Sequence, residues 1–151
     1  MLKSGFFLRR ALASVILLCG LSLMPTGGVH AAGSDWEALG GREVVTAFTT
    51  DAVNRWRKNP VLVHFAGMDD ARAARLVVLL VEQFCSLTGG GCVYPGKNMT
   101  DAHVGMNITT AQFNALAEDL QFAMDAANVP FRAQNKLVAR LAPMLRDMKG
   151  R

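Results

Sequence analysis

The sequence is poor in charge and contains no internal repeat, and these two absences exclude several classes of protein. Charged residues make up 19% of the 151 positions, whereas hydrophobic residues make up 51%. A disordered chain, a collagen-like chain or a polar tail protein would have a different balance. A chain of this length without repeats is expected to form one domain with a real hydrophobic core.

The sequence also lacks an N-terminal apolar stretch long enough to cross a membrane with ease. Its apolar stretch at 11–24 follows a basic N-terminal region and is well short of the ~20 residues that a transmembrane helix needs. We therefore predict a signal peptide at 1–31, cleaved after Ala31, and a mature domain at 32–151. The mature domain is expected to be periplasmic or secreted. An uncleaved N-terminal anchor is the alternative, and it would be the chain's contact with a membrane.

The sequence has no marked excess of basic residues after the predicted leader. Lys3, Arg9 and Arg10 lie in the leader, which leaves thirteen basic residues against twelve acidic ones. The basic isoelectric point near 9.3 is therefore mainly a property of the targeting region. Because no cluster of Lys and Arg with interleaved aromatic residues remains, nucleic acid is not expected as a partner.

Cysteine is scarce, since Cys19 lies in the leader and the mature chain keeps Cys85 and Cys92. In an oxidising compartment we expect these two to form a disulfide, and two free thiols are the alternative. Their spacing is not that of a redox-active Cys-x-x-Cys pair. A zinc site made of both cysteines and His103 would lack a fourth ligand of the usual kind.

The spacing of apolar residues predicts an all-α domain. Four main helices are expected, at 42–58, 69–88, 109–127 and 131–148. Shorter helical turns are expected at 35–39 and 100–104, with a 3₁₀ turn or corner at 61–65. Gly89 begins a triple-glycine stop after the second main helix, and Thr109 with Gln112 has capping-box spacing. Pro143 is expected to kink the last helix or loosen one of its turns.

His103 is the candidate metal ligand. It follows a glycine-rich segment between two helices with broad apolar faces, and the mature chain has one other histidine, His64. No second histidine lies near His103 in the sequence to complete a zinc site. A single imidazole in an apolar helical cleft suits haem iron, which needs one strong axial ligand and a dry pocket.

The segment at 88–109 resembles the hallmark of group I truncated haemoglobins. In that family a Gly-Gly turn leads to Tyr-x-Gly, a methionine, the haem-ligating histidine and an Ile-Thr pair. The corresponding residues here are Gly89-Gly90, Tyr94-Pro95-Gly96, Met99, His103 and Ile108-Thr109. The similarity covers essentially the whole mature chain, and the arrangement of cysteines around the glycines matches an exported bacterial subset.

The resemblance implies a two-over-two helical sandwich around haem b, with His103 as the proximal ligand through Nε2. Its Nδ1 proton should point at a backbone carbonyl. Phe65 would pack on the haem face, and Lys97 would pair with a propionate or remain solvated. The other pocket positions implied by the resemblance are Leu76, Leu80, Phe84, Met99, Ala102, Ile108, Phe113, Leu116, Val138 and Leu141.

The distal positions depart from the pattern of relatives that hold oxygen tightly. Such relatives usually have a tyrosine on the first long helix, often with a glutamine opposite, and the matching positions here are Val53, Leu76 and Leu80. None of these side chains donates a hydrogen bond. The loss of such a bond costs about 1.5–3 kcal/mol, or roughly ten- to a hundredfold in affinity. We therefore expect oxygen to be released quickly, and nitric oxide or carbon monoxide to bind with little hindrance.

The expected function is reversible binding of a diatomic gas rather than catalysis. One alternative is a haem enzyme that detoxifies nitric oxide or peroxide, with an electron donor that the sequence does not identify. Another is a helical interaction module without haem. If the corner after Phe65 folds inward, His64 would reach the iron as a sixth ligand.

Overall fold

The computed structural model describes residues 33–150, and the predicted leader with Cys19 lies outside that range. Its seven α-helices are α1 Asp35–Ala38, α2 Gly41–Lys58, α3 Asp70–Leu87, α4 Met99–Ala102, α5 Thr110–Ala126, α6 Phe131–Leu141 and α7 Leu145–Met148. Two 3₁₀ turns lie at Val63–Phe65 and Ala142–Met144. The described residues form no strand beyond one isolated bridge between Ile108 and Lys149, so the all-α prediction is confirmed.

The ends of the long helices follow from local side-chain chemistry. The Asp69 carboxylate accepts a hydrogen bond from the Arg72 backbone N–H at 2.7 Å and so caps α3. At the start of α5 the predicted capping box is present, because Thr109 and Gln112 each accept a hydrogen bond from the other's backbone N–H. These bonds satisfy N–H groups that a helix start leaves without an intrahelical partner.

The C-terminal helix is interrupted where the sequence predicted a disturbance. α6 ends at Leu141, and Pro143 lies in the 3₁₀ turn Ala142–Met144 that connects α6 to α7. A proline ring clashes with the carbonyl four residues earlier and offers no N–H, so a continuous helix is disfavoured there. The break turns the last residues toward α4, which α7 contacts.

The four long helices pack in two pairs, one across the other. α2 packs against α3 in the first pair and α5 against α6 in the second, while α2 also contacts α5 and α3 contacts α6. This is the predicted two-over-two sandwich. No helix within residues 33–150 is both long enough and apolar enough to span a membrane.

Trp56 fixes the junction between α2 and α5. Its side chain is 2% exposed, and its indole Nε1–H donates to the backbone carbonyl of Leu116 at 3.1 Å. The ring also packs against Phe65, with centroids 5.4 Å apart. One side chain therefore joins α2, α5 and the 3₁₀ corner at a single point.

Candidate functional site

A cavity of about 360 Å³ lies between the two helix pairs and the irregular segment that joins α3 to α5. It is lined by twelve of the residues that the sequence assigned to a cofactor pocket. They are Phe65, Leu76, Leu80, Phe84, Met99, Ala102, His103, Ile108, Phe113, Leu116, Val138 and Leu141. The segment that was recognised by its motif and the helix faces that were recognised by periodicity thus meet at one place.

His103 is presented to this cavity by the one-turn helix α4. Asn98 caps α4 by accepting a hydrogen bond from the Asp101 backbone N–H at 2.8 Å, and its amide also donates to the Asp101 carboxylate at 2.7 Å. His103 lies directly after the last helical residue, as the C-terminal cap. The helix is too short to be stable through its own backbone bonds, so this cap helps to fix the histidine backbone.

The ring of His103 has a defined tautomer. Its Nδ1 lies 2.8 Å from the carbonyl oxygen of Met99. Because a carbonyl oxygen can only accept, Nδ1 carries the proton, and in the neutral imidazole Nε2 then keeps its lone pair. The half-buried imidazole therefore offers one unprotonated nitrogen as a metal ligand, in the orientation that the backbone bond enforces.

The expected disulfide joins Cys85 in the last turn of α3 to Cys92 in the following loop, with Cα atoms 5.6 Å apart. Gly90 lies tightly between the buried Cys85 and Trp36. A Cβ on Gly90 would come within 2.6 Å of the Cys85 sulfur and 2.7 Å of the indole ring. The loop therefore needs glycine at this position, and the bridge ties the start of the histidine-bearing segment to α3.

Two residues that the sequence assigned to the site do not line the cavity. Val53 is 1% exposed and belongs to the hydrophobic core, whereas Trp56, almost one turn further along α2, lines the cavity. Lys97 precedes the Asn98 cap and is exposed. Val53 therefore does not form part of the cavity wall in this structure, and Lys97 is exposed, which is one of the two outcomes expected for it. Alignment with a motif locates a residue along a helix, but a small rotation of the helix decides which side chain reaches the cavity.

The α3 wall of the cavity includes two apolar positions, Leu76 and Leu80, where a distal donor was expected to be missing. Leu76 and Leu80 are half-buried neighbours on one face of α3, one turn apart, and both line the cavity. Arg72 and His64 are exposed residues that also line it. His64 therefore lines the same cavity as His103. It is the histidine to test as a sixth ligand of the iron.

Several polar and sulfur-containing residues line the cavity although the sequence did not predict them there. Gln83 is 7% exposed and donates through its amide nitrogen to the sulfurs of Met99 and Met144, each at 3.7 Å. Its place one turn beyond Leu80 on α3 was the available signal, but a search for apolar periodicity passes over glutamine. The only tyrosine, Tyr94, also lines the cavity, and burial raises the pKa of its phenol.

Methionine is concentrated around the cavity. Five of the six methionines in residues 33–150 line it, namely Met68, Met99, Met106, Met144 and Met148. Thioether side chains are flexible and polarisable, so they adapt to an irregular or planar apolar surface. Two of these residues come from the C-terminal turns, which carried no motif and could be placed only by the fold.

The site thus defines a class of protein: an all-α domain in which the imidazole of His103 lines a mainly apolar cavity. The family model described as bacterial-like globin matches residues 34–150. The chain therefore belongs to the bacterial-like globin family, and its relatives support a group I truncated globin.

Two curated relatives agree with this assignment. A group 1 truncated hemoglobin of Tetrahymena pyriformis is 35% identical over 65 residues, which cover 43% of this chain and 54% of that protein. The group 1 truncated hemoglobin GlbN of Mycolicibacterium paratuberculosis (strain ATCC BAA-968 / K-10) is 34% identical over 64 residues, covering 42% and 47% respectively. The chain thus spans about half the length of the curated relatives it matches.

Solved structures extend the likeness to the whole fold. The crystal structure of truncated hemoglobin from Tetrahymena pyriformis in the Fe(III) form superposes with a TM-score of 0.72. The two proteins are 26% identical, and the match covers 79% of this chain and 100% of that one. The helical sandwich and its long connecting segment therefore belong to the truncated globin fold.

The family implies a haem cofactor, and the donor set of this structure fits one. Residues 33–150 contain no group of three or more His, Cys, Asp and Glu side chains that could hold a bare metal ion. Haem iron needs one axial protein ligand because the porphyrin supplies the other four nitrogen ligands. His103, with its Nδ1 bonded to the Met99 carbonyl, and the mainly apolar lining meet that requirement.

Proposed function

We propose that this chain is an exported haem b protein that binds a diatomic gas reversibly. The observation that carries the proposal is the His103 imidazole, which lines a mainly apolar cavity and whose Nδ1 is bonded to the Met99 carbonyl, so that Nε2 is the nitrogen left to bind iron. When bound, haem supplies an iron with one coordination position open to oxygen, nitric oxide or carbon monoxide. The protein's own residues hold that group and set the polarity around it.

Leu76 and Leu80 make the middle of the α3 wall apolar, between the lining residues Arg72 and Gln83. Neither leucine side chain donates a hydrogen bond, so dioxygen next to them gains no such stabilisation, whereas nitric oxide and carbon monoxide depend on it less. We infer oxygen affinity roughly ten- to a hundredfold below that of relatives with a distal donor. Binding of a gas with fast release, rather than oxygen activation, is the function that this wall supports.

The test is the ferrous absorption spectrum of the purified holoprotein with and without dioxygen. The proposal expects a Soret band, a five-coordinate ferrous form, and a dioxygen complex that dissociates quickly. A protein that stays colourless when haem is supplied would point to a haem-free interaction module. A long-lived dioxygen complex that consumes nitric oxide catalytically would point to an enzyme.

Export is a separate part of the proposal. The leader-like positions 1–31 and the presence of one disulfide in the mature domain support a periplasmic or secreted location. Cell fractionation with N-terminal sequencing of the mature protein tests it, and the expected first residue is Ala32. A full-length protein in the cytoplasm, or one retained by the membrane through its N-terminus, would contradict cleavage.

A further inference from the structure

Gln83 is a buried polar side chain on the face of α3 that lines the cavity, where its nearest lining neighbours Leu80 and Phe84 are apolar. Leu76, Leu80 and Gln83 follow one another at helical spacing, and all three line the cavity. Among residues 33–150, Gln83 is the cavity-lining member of the buried polar set. Removing an amide from water costs free energy unless it is hydrogen-bonded, so a glutamine here requires an explanation.

The amide nitrogen of Gln83 connects three segments of the chain. It lies 3.7 Å from the sulfur of Met99 at the start of α4 and 3.7 Å from the sulfur of Met144 in the C-terminal 3₁₀ turn. Thioether sulfurs are weak acceptors, but together they use the two N–H groups of one amide. Gln83 therefore fixes both methionine side chains against α3.

Met99 links this amide to the metal ligand. Its side chain accepts from Gln83, while its backbone carbonyl accepts from the Nδ1–H of His103 at 2.8 Å. The position of the Met99 carbonyl determines how the imidazole is rotated and how strongly Nδ1–H is bonded. The strength of that bond in turn sets the basicity of the coordinating nitrogen.

We propose that Gln83 is a positioning residue for the His103 imidazole, acting through Met99. The inference rests on the proposed haem function, because its consequence is the strength and orientation of the bond from His103 to iron. A direct contact of Gln83 with the bound gas is a different role. The two donor bonds toward Met99 and Met144 disfavour it, because they leave no amide hydrogen for a gas.

The test compares the wild-type holoprotein with Gln83→Leu, Met99→Leu and Met144→Leu. Resonance Raman of the ferrous form measures the iron–histidine stretch, and infrared spectroscopy of the carbon monoxide complex measures the C–O stretch. Gln83→Leu should lower the iron–histidine frequency and leave the C–O stretch in place. It should also speed transfer of haem to an acceptor apoprotein roughly ten- to a hundredfold, as loss of a partner supporting a metal ligand typically does.

The methionine variants separate the path through Met99 from general loosening. Met99→Leu should reproduce the shift, and adding Gln83→Leu to it should give no further change. Met144→Leu keeps the Gln83–Met99 contact and should give a smaller shift than Met99→Leu, which shows whether the path runs through Met99. Gln134→Leu, the same change at a buried glutamine outside the cavity, is the matched control for general loosening and should leave the iron–histidine frequency near that of wild type. Gln83→Met, which keeps the side-chain length without the amide, replaces Gln83→Leu if far-UV circular dichroism shows that Leu unfolds the chain.

Three results would overturn the inference. One is an unchanged iron–histidine stretch in the Gln83 variants, and another is an equal shift in Met144→Leu. The third is a shifted C–O stretch with an unchanged iron–histidine stretch, which would assign Gln83 to the gas instead. If the wild type itself binds no haem, the proposed function fails, and that failure is distinct from a holoprotein whose Gln83 variants behave like wild type.

Discussion

Breaking the Cys85–Cys92 bridge should destabilise the domain by about 2 kcal/mol. The two cysteines are 7 residues apart in sequence, and closing a loop of that length removes unfolded-chain entropy worth about 2 kcal/mol at 25 °C. This corresponds to roughly a thirtyfold change in the folding equilibrium. The bridge lies at the start of the segment that ends in His103, so haem retention should fall together with stability.

Urea unfolding of the haem-free domain, followed by far-UV circular dichroism, measures the effect. Oxidised and reduced wild type share one sequence, so their difference in unfolding free energy isolates the cross-link from any packing change. The Cys85→Ala/Cys92→Ser variant is the matched control. It should unfold at the same urea concentration with and without reductant, near the reduced wild type.

The reasoning would be refuted if reduced and oxidised wild type had the same urea midpoint and the same slope. It would also fail if reductant shifted the midpoint of the cysteine-free variant, because the effect would then lie elsewhere. A bridge that is present but adds no stability would mean that the unfolded chain already keeps this segment compact.

Three further predictions follow from the site and its supports. Leu80→Gln should slow dioxygen release roughly ten- to a hundredfold in stopped-flow measurements, because it supplies a donor on the α3 wall; an unchanged rate would contradict the assignment of that wall. Gly90→Ala should lower the thermal midpoint, since its Cβ would overlap the Cys85 sulfur; a midpoint equal to wild type would refute the close approach. Hydrogen bonds from Lys136 and Arg140 lower the pKa of the Asp35 carboxyl below its ordinary value of 3.8. The ionised carboxylate therefore stabilises the fold at neutral pH, and this stabilisation is lost as the pH falls through the lowered pKa. Asp35→Asn should therefore lower the thermal midpoint at pH 7, with the gap closing below about pH 4; a gap that persisted in acid would exclude the carboxylate as its source.

Local rules were sufficient for most of the fold. The apolar stripe of α3, the Thr109 capping box and the break at Pro143 each express a short-range preference of the backbone, so one sequence predicts them. His103 could be singled out because the mature chain has one other histidine and because it lies in the motif at 88–109. Its bond to the Met99 carbonyl agrees with the expected tautomer.

The parts that sequence alone did not predict depend on the packing of distant segments. Val53 and Trp56 lie on the same helix, and the packing of α2 against α3 and α5 decides that Trp56 rather than Val53 reaches the cavity. Met144 enters the site because the chain turns at Pro143, far from any motif. Gln83 was passed over because a hydrophobic pattern gives no weight to an amide whose partners are thioethers.

The most direct test of the central claim is the spectrum of His103→Gly holoprotein before and after imidazole is added. If the His103 nitrogen is the proximal ligand, the variant should lose the five-coordinate ferrous histidine spectrum, and free imidazole should restore it by filling the space left by the side chain. A His103→Gly variant that keeps the wild-type spectrum without imidazole would contradict the assignment of this histidine as the haem ligand.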